Sequence, residues 1–316
     1  MDKAGFIKYL EGKGFARTTQ EEFLLKVKLF FDRVKKEDIQ IIKPDILKFL
    51  EYLKNNRKLQ NSTRYVYLNT LNHYFTYLYN EGEIAKNPCC FIKIQGTKKK
   101  VLHKIYTPEE LERVFDAYYQ LFVRSSDNHF KSELQKQYAI LSRERNALML
   151  NILINQGIST KEIDKIELND VDFAKATLKI RGGKMLNNRI LPLKATQIGL
   201  IINYLQNIRP QFIEYQQKES NKLFLLLPSG KKPKTYKDSL NDVFLHLTRQ
   251  IKSVDKQFIN FVQVRASVIT FWLKTQGLRK TQYLAGHRYI HATEKYVSNN
   301  LDGLIEDINK LHPFQF

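Results

Sequence analysis

The spacing of apolar residues in the first hundred residues predicts a bundle of helices. The first predicted helix follows the capping-box pattern Thr19-Gln20-Glu21-Glu22, and its apolar positions are Phe23, Val27, Phe30, Phe31 and Val34. Pro44 opens a second helix at a position where proline is tolerated, with the stripe Ile46, Phe49, Leu50 and Leu53. A third helix begins near Ser62 or Thr63 and ends at Glu81-Gly82. Its inward positions are predicted to be Tyr65, Leu68, Leu71, Phe75 and Leu78.

A change of pattern after the third helix predicts a domain boundary. Asn87-Pro88 ends the bundle, and residues 93–105 are basic with little apolar periodicity. Helix then restarts at Thr107-Pro108-Glu109-Glu110, which has an N-cap, a proline in the first turn and a capping glutamate. We therefore predict a helical domain over 1–92, a basic linker over 93–105 and a second domain over 106–316.

The second domain is predicted to be mostly helical with a small antiparallel sheet. Short alternating strands are expected at 177–181 and 189–193, on either side of a turn at 182–188. The predicted helices are 145–156, 195–209, 239–251, 264–276, 280–284 and 301–311. The predicted fold class is mainly α, with an N-terminal helical bundle followed by a mixed α+β domain.

Composition and charge point to a polyanionic partner. The chain has 316 residues, of which 43% are hydrophobic, so most of it is expected to fold. Lys and Arg number 52 against 32 Asp and Glu, a formal net charge of +20, and both predicted domains share the excess. A basic excess of this size favours nucleic acid as the partner.

Several classes of protein are disfavoured by what the sequence lacks. No apolar run approaches the roughly 18 residues of a membrane span, and the first residues do not resemble a secretory signal. Cys89 and Cys90 are adjacent and cannot form an ordinary disulfide or a zinc site, which fits a reducing cytoplasm. There is no HExxH motif and no GxxxxGK[ST] phosphate loop. We expect no metal, no cofactor and no membrane partner.

The order of four segments and one tyrosine in the second domain is more specific. The segments are Gly157-Ile158-Ser159-Thr160-Lys161-Glu162-Ile163, Gly183-Lys184-Met185-Leu186-Asn187-Asn188-Arg189-Ile190-Leu191-Pro192-Leu193, Val262-Gln263-Val264-Arg265 and Leu284-Ala285-Gly286-His287. Tyr296 follows His287 by nine positions. In this order they resemble the boxes of the tyrosine recombinase (phage integrase) family. The helix ending at Gly82, with the Asn87-Pro88 exit, resembles that family's core-binding domain.

The resemblance implies a catalytic set and a reaction. It assigns Tyr296 as the nucleophile that forms a 3′-phosphotyrosyl link with DNA, and Lys184 as the general acid for the leaving 5′-oxygen. Arg265 would clamp the non-bridging oxygens, and His287 would bind the phosphate or position Tyr296. No metal or cofactor takes part in this scheme.

Two active-site positions depart from the family pattern. Ser159 stands where the family has its first arginine, and Val262 stands in place of a histidine. Losing one preorganised donor typically costs about 3–4 kcal/mol of transition-state stabilisation. We hypothesise that Arg181, or alternatively Lys161, supplies the missing charge. The other reading is a catalytically impaired DNA-binding relative or an accessory subunit of a recombination complex.

The remaining expectations concern DNA contacts and assembly. The basic residues expected to contact the DNA backbone are Lys98, Lys99, Lys100, Arg64, Arg279, Lys280 and Arg288, with an ordinary solvated surface as the alternative.

An apolar stripe near the C-terminus consists of Leu301, Leu304, Ile305, Ile308 and Leu311. By resemblance it docks on a neighbouring protomer, giving a homotetramer on two double-stranded DNA sites, although intramolecular packing is the alternative. We further expect a mobile-element enzyme, with accessory DNA-bending proteins as possible helpers, located in the cytoplasm and on the nucleoid when bound to DNA.

Overall fold

A computed structural model describes residues 2–96, 104–125, 130, 132–183, 185–228 and 240–297. The chain divides into two compact units, Met1–Val101 and Leu102–Phe316. Each unit has its own apolar core.

The first unit consists of helices packed around aromatic side chains. The helices are α1 (Lys3–Gly12), α2 (Arg17–Val34), α3 (Lys43–Asn55) and α4 (Asn61–Asn80), with a 3₁₀ turn at Asp38–Gln40. Phe6, Phe30 and Phe75 are completely buried, and Phe30 meets Phe75 edge-on at 6.1 Å between ring centroids. Burial of such large rings supplies most of the driving force for packing the helices together.

Most of the predicted pattern of the first unit is confirmed, with two corrections. All four residues of the predicted α3 stripe are buried, and Gly82 has the positive φ of 78° expected of a residue after a helix. The capping box at Thr19 is wrong, because α2 already begins at Arg17 after an extended Ala16. The prediction that Tyr65 faces inward is also wrong, because this residue lies in the first turns of α4 and is 50% exposed.

The second unit is mostly helical, as predicted. Its helices are α5 (Pro108–Tyr118), α6 (Glu133–Gln156), α7 (Thr160–Ile163), α8 (Ala195–Asn203), α9 (Arg209–Gln216), α10 (Leu240–Val254), α11 (Phe261–Ala285) and α12 (Ile290–Glu294). The predicted cap of α5 is confirmed: Thr107 Oγ1 accepts from the Glu110 N–H at 3.3 Å, and Glu110 Oε2 accepts from the Thr107 N–H at 2.9 Å. This reciprocal pair satisfies backbone donors that the first turn would leave open.

Helix α6 lies in the core of the second unit and α11 packs against it. The sequence predicted two helices, 264–276 and 280–284, whereas the structure has one α11 interrupted at Gly277, where φ is 73° and ψ is 171°. Glycine adopts this conformation without the steric penalty that a side chain would bring. None of the described helices is long and apolar enough to cross a membrane.

A small antiparallel sheet carries the hairpin that the sequence singled out. Its strands are β1 (Val171–Asp172), β2 (Thr177–Ile180) and β3 (Arg189–Pro192), in the order β1-β2-β3, with Ile180 paired to Arg189. Beyond the strands, Gly183 and Leu186 pair again through their backbones. The fold class, mainly α with a small antiparallel sheet, is confirmed.

Candidate active site

The candidate site is built where the start of α7, the β2–β3 hairpin, both ends of α11 and helix α12 come together. The Asn187 N–H donates to the Gly286 carbonyl oxygen at 2.7 Å, and Leu186 pairs with His287 through an isolated bridge. These contacts hold the hairpin against the turn that follows α11. Residues far apart in the sequence are thereby fixed on one side of the second unit.

A buried carboxylate, Glu162, lies at the centre of the site. It is 3% exposed and pairs with Arg189 Nη1 through Oε1 at 2.7 Å and with Arg265 Nη1 through Oε2 at 3.4 Å. Oε2 also accepts from the Ser159 N–H and from Ser159 Oγ, both at 2.8 Å. Burial alone would raise the pKa of Glu162, but the charges of Arg189 and Arg265 outweigh it and hold that pKa below its ordinary value.

Arg265 is fixed by backbone carbonyls as well as by Glu162. Nη1 donates to the Gly157 carbonyl oxygen at 2.6 Å, and Nη2 donates to the Ala285 carbonyl oxygen at 2.8 Å. Burial lowers the pKa of Arg265, while Glu162 and the Tyr296 hydroxyl act in the opposite direction. An arginine held on both sides in this way is preorganised, so little conformational entropy is lost when it binds an anion.

His287 follows the C-terminal turn of α11 and is 7% exposed. Its Nδ1 lies 2.9 Å from Thr293 Oγ1, and its Nε2 lies 3.5 Å from Arg265 Nη2. Burial, together with the positive charges of Arg265 and Arg189, lowers the pKa of His287 to about 4. The imidazole is therefore neutral at physiological pH.

Tyr296 lies close to both of these residues. Its ring stacks on His287 with centroids 5.8 Å apart and planes inclined by 12°. The Tyr296 N–H donates to the Thr293 carbonyl oxygen at 3.0 Å, so the turn after α12 sets its position. Tyr296 is half-buried, and its hydroxyl contacts the guanidinium of Arg265.

Lys184 lies outside the described residues, and the structure describes the residues on either side of it. Gly183 and Leu186 exchange backbone hydrogen bonds of 2.9 and 3.2 Å. Lys165 Nζ donates to the Gly182 carbonyl oxygen at 3.1 Å, at the base of the turn. A Cβ at Gly182 would come within 2.2 Å of the Leu186 carbonyl oxygen. The close approach of the two sides of the hairpin therefore requires glycine at this position.

The two positions that depart from the family pattern line one cleft. Ser159, Val262 and Arg265 border a cleft of about 380 Å³, together with the apolar side chains of Phe244, Leu245 and Phe261. Val262 is 71% exposed, which is unusual for a valine and shows that this position faces open space. The cleft therefore leaves room for longer side chains at both substituted positions.

The residues predicted to compensate for Ser159 are placed differently. Arg181 makes ion pairs with Glu167 and with Asp170, the latter at 3.1 Å between Nε and Oδ2. Hydrogen bonding to Glu167 raises the pKa of Arg181. Lys161 is exposed on α7. The structure thus gives Arg181 carboxylate partners away from Glu162, and this weakens the case for it as the replacement.

The residues predicted to contact the DNA backbone are only partly described. Arg279, Lys280 and Arg288 are exposed, near or beyond the C-terminal end of α11. Arg64 donates from Nε to the Leu50 carbonyl oxygen at 3.1 Å and from Nη1 to Asn61 Oδ1 at 3.0 Å, so it also joins α3 to α4. Lys98, Lys99, Lys100 and the apolar stripe 301–311 lie outside the described residues.

Three residues of the site were missed as functional candidates: Glu162, Arg189 and Thr293. Glu162 and Arg189 lie inside segments whose order identified the family, so their position was visible but their role was not. A buried ion pair between residues 27 positions apart has no local sequence signal. Among the described residues, no group of three or more His, Cys, Asp or Glu is placed to hold a metal ion.

Both units of the chain match known family models. Residues 131–302 match the model of the phage integrase family, and residues 4–83 match that of the phage integrase N-terminal SAM-like domain. The chain therefore belongs to the phage integrase family, the tyrosine recombinases of site-specific recombination.

Curated relatives are similar along most of their length. Tyrosine recombinase XerC of Anoxybacillus flavithermus is 26% identical, over 95% of this chain and 93% of the relative. Tyrosine recombinase XerA of Pyrococcus horikoshii is 27% identical, over 96% of this chain and 91% of the relative.

Solved structures show the same fold. The XerH site-specific recombinase bound to difH substrate, in a pre-cleavage complex, has a TM-score of 0.64 at 18% identity, over 97% of this chain and 84% of that one. A lambda integrase dimer bound to a COC′ core site has a TM-score of 0.59 at 15% identity, over 93% of this chain and 76% of that one.

Proposed function

We propose that the protein is an active site-specific DNA recombinase that cleaves and rejoins duplex DNA through a 3′-phosphotyrosyl intermediate. Tyr296 attacks the scissile phosphate and the 5′-oxygen leaves with a proton from Lys184. The free 5′-hydroxyl of a second strand then attacks the phosphotyrosine, which releases Tyr296 and restores the phosphodiester. The number of phosphodiester bonds is conserved, so the reaction needs no nucleotide hydrolysis.

The observation that carries this proposal is the meeting of Arg265, His287 and Tyr296. These residues come from the start of α11, the turn after it and the turn after α12, and they lie within contact distance of one another. A structural role alone does not require a nucleophile, an imidazole and a guanidinium to converge next to an open cleft. Arg265 would bind the non-bridging oxygens, and His287 would position Tyr296.

Covalent trapping tests the proposal. Nicked duplexes tiled across the DNA that flanks the gene would be incubated with the protein without added metal. A nick next to the scissile bond lets the short 5′-hydroxyl fragment diffuse away, so the phosphotyrosyl link cannot be reversed. We expect a slowly migrating, protease-sensitive adduct, and its absence on DNA that the protein binds specifically would contradict the proposal.

A second candidate function is a DNA-binding relative, or an accessory subunit of a recombination complex, that no longer cleaves. It is favoured by the cleft at Ser159 and Val262, where neither side chain offers the charged donor that the family pattern implies. Site-specific binding without any adduct, together with an adduct from a variant that carries Ser159→Arg and Val262→His, would support this candidate.

The partners follow from the same proposal. The net charge of +20 suits binding to the phosphates of double-stranded DNA, and exposed Arg279, Lys280 and Arg288 are proposed to contact them. Relatives in the solved complexes include a lambda integrase tetramer bound to a Holliday junction. We extend that assembly to this chain as a homotetramer on two DNA sites through the apolar stripe 301–311, and propose that it serves a mobile element, with DNA-bending helper proteins, on the nucleoid in the cytoplasm.

A further inference from the structure

Arg189 is a buried guanidinium that none of the roles above uses. The residue is 2% exposed; its Nη1 donates to Glu162 Oε1 and its Nε to the Leu284 carbonyl oxygen, both at 2.7 Å. Within the described part of the chain, its buried Nη2 has no hydrogen-bond partner. Leaving a buried charged donor unsatisfied is costly, so a residue in this state calls for an explanation.

The charges around Arg189 do not balance. Glu162 carries one negative charge and is shared by two guanidinium groups, those of Arg189 and Arg265. His287 is neutral at physiological pH, because its pKa is lowered to about 4. One positive charge is therefore in excess in a region from which water is largely excluded, where its field on a bound anion is strong.

Arg189 also lies directly under the turn that carries His287. A Cβ built on Gly286 would come within 2.4 Å of Arg189 Nη1, so only glycine allows the turn to approach this closely. Gly286 has a positive φ of 73°, which glycine adopts without strain. Arg189 therefore touches the two supports of the site, the Glu162 carboxylate and the 284–286 turn.

The same carboxylate connects Arg189 to the position of the missing arginine. Ser159 donates both its N–H and its hydroxyl to Glu162 Oε2, while Arg189 occupies Oε1. Ser159 is neutral and leaves the cleft beside Arg265 open. The Glu162 carboxylate therefore contacts Ser159 and two guanidinium groups, those of Arg265 and Arg189.

We infer that Arg189 makes up for the charge that is absent at Ser159. It acts as a positioning residue: its guanidinium, through Glu162 and the 284–286 turn, holds Arg265 and His287 in place and adds positive field at the scissile phosphate. This inference rests on the proposed cleavage of DNA. It replaces the sequence-based hypothesis of Arg181, whose guanidinium is paired with Glu167 and Asp170.

The test is a double-mutant cycle between positions 189 and 159, read as the rate of adduct formation on nicked DNA. We expect Arg189→Gln to slow cleavage by about 100-fold, as the loss of one charge-stabilising group does. Arg189→Lys keeps the charge and should cost less. In a Ser159→Arg background the new arginine supplies the charge directly, so both costs should shrink to a few-fold. A purely structural role would give the same cost in both backgrounds and would overturn the inference.

The control is Arg181→Lys, the same conservative change in an arginine that is also paired with carboxylates but does not touch Glu162. It should leave the rate within a few-fold in both backgrounds. Thermal melting and DNA affinity establish that each variant folds and binds. Where Arg189→Gln does not fold, the Arg189→Lys comparison between the two backgrounds decides.

The remaining outcomes separate the inference from the proposed function. An adduct from the unsubstituted protein, with unequal costs in the two backgrounds, supports both. An adduct only after Ser159→Arg shows that Arg189 does not replace the missing arginine and overturns the inference. No adduct from any of these proteins on specifically bound DNA overturns the proposed function and the inference with it.

Discussion

His287 Nδ1 lies within hydrogen-bonding distance of Thr293 Oγ1, at 2.9 Å, and both side chains are buried. On the other side of the ring, Nε2 lies 3.5 Å from Arg265 Nη2. A guanidinium has no acceptor, so Nε2 must be the unprotonated nitrogen in this contact. The proton then lies on Nδ1 and is donated to Thr293, which fixes the tautomer and the orientation of the imidazole.

The first prediction concerns this hydrogen bond. Thr293→Val keeps the shape of the side chain but removes the acceptor, so the buried Nδ1–H loses its partner and the ring is free to turn. We expect adduct formation to slow by about tenfold to a hundredfold, with DNA affinity unchanged. Thr293→Ser retains the hydroxyl and should stay within a few-fold of the parent protein, and equal rates for all three would show that Thr293 has no part in positioning.

The second prediction concerns stability and pH. The pKa of His287 falls from an ordinary 6.5 to about 4 on folding. The unfolded chain therefore takes up this proton at a higher pH than the folded one. The stability that His287 contributes is present above pH 6.5 and is lost as the pH falls from there towards 4, by roughly 3 kcal/mol in total.

The measurement is the free energy of unfolding by urea at several pH values, for the parent protein and for His287→Gln. The difference between the two should decrease as the pH falls through this range, because the glutamine has no proton to gain. Comparison with this variant removes the contribution of His73, whose pKa is also lowered, first by burial. A nuclear magnetic resonance titration that placed the pKa of His287 above 6 would contradict the prediction.

The third prediction separates the nucleophile from its surroundings. Tyr296→Phe removes one hydroxyl and keeps the ring that stacks on His287. We expect complete loss of the covalent adduct, with thermal stability and DNA affinity unchanged. Tyr289→Phe is the matched control, since Tyr289 is 50% exposed and its ring stacks on another histidine, His291, at 5.7 Å. Loss of the adduct in Tyr289→Phe alone would show that Tyr296 is not the nucleophile.

The sequence predicted the elements better than their ends. The stripe of Ile46 and Phe49 was recognised because burial of one helix face repeats at a regular interval. The start of α2 was placed too late because Thr19 fits the capping-box pattern, whereas the Ala16 carbonyl oxygen already accepts from the Thr19 and Gln20 N–H groups at 2.9 and 3.0 Å. Tyr65 was assigned to the core because a tyrosine at helical spacing fits both a buried and an exposed position.

The candidate site shows a similar division. Arg265, His287 and Tyr296 could be proposed from the sequence, because their order along the chain resembles the boxes of the family. Arg189 and Glu162 could not, because what distinguishes them is a buried pairing that exists only after the hairpin and α7 come together. Arg181 was proposed because it lies on the strand that enters the hairpin, and only the fold shows that it pairs with Asp170 whereas Arg189 pairs with Glu162.

The last prediction concerns restoration of the family pattern at the two substituted positions. Ser159→Arg and Val262→His place a guanidinium and an imidazole at the cleft that Arg265 borders, and the cleft of about 380 Å³ has room for both. Because Val262 is 71% exposed, a histidine there removes little buried surface and should change stability by less than about 0.5 kcal/mol. We expect the double variant to form adduct about 10 to 100 times faster than the parent protein, as added charge-stabilising donors do.

Leu245→His is the matched control: Leu245 also lines the cleft and is 58% exposed, but it lies on α10 outside the family's boxes, so it should not raise the rate. An unchanged rate in the double variant would contradict this prediction and would mean that the parent site already has all the charge the reaction uses.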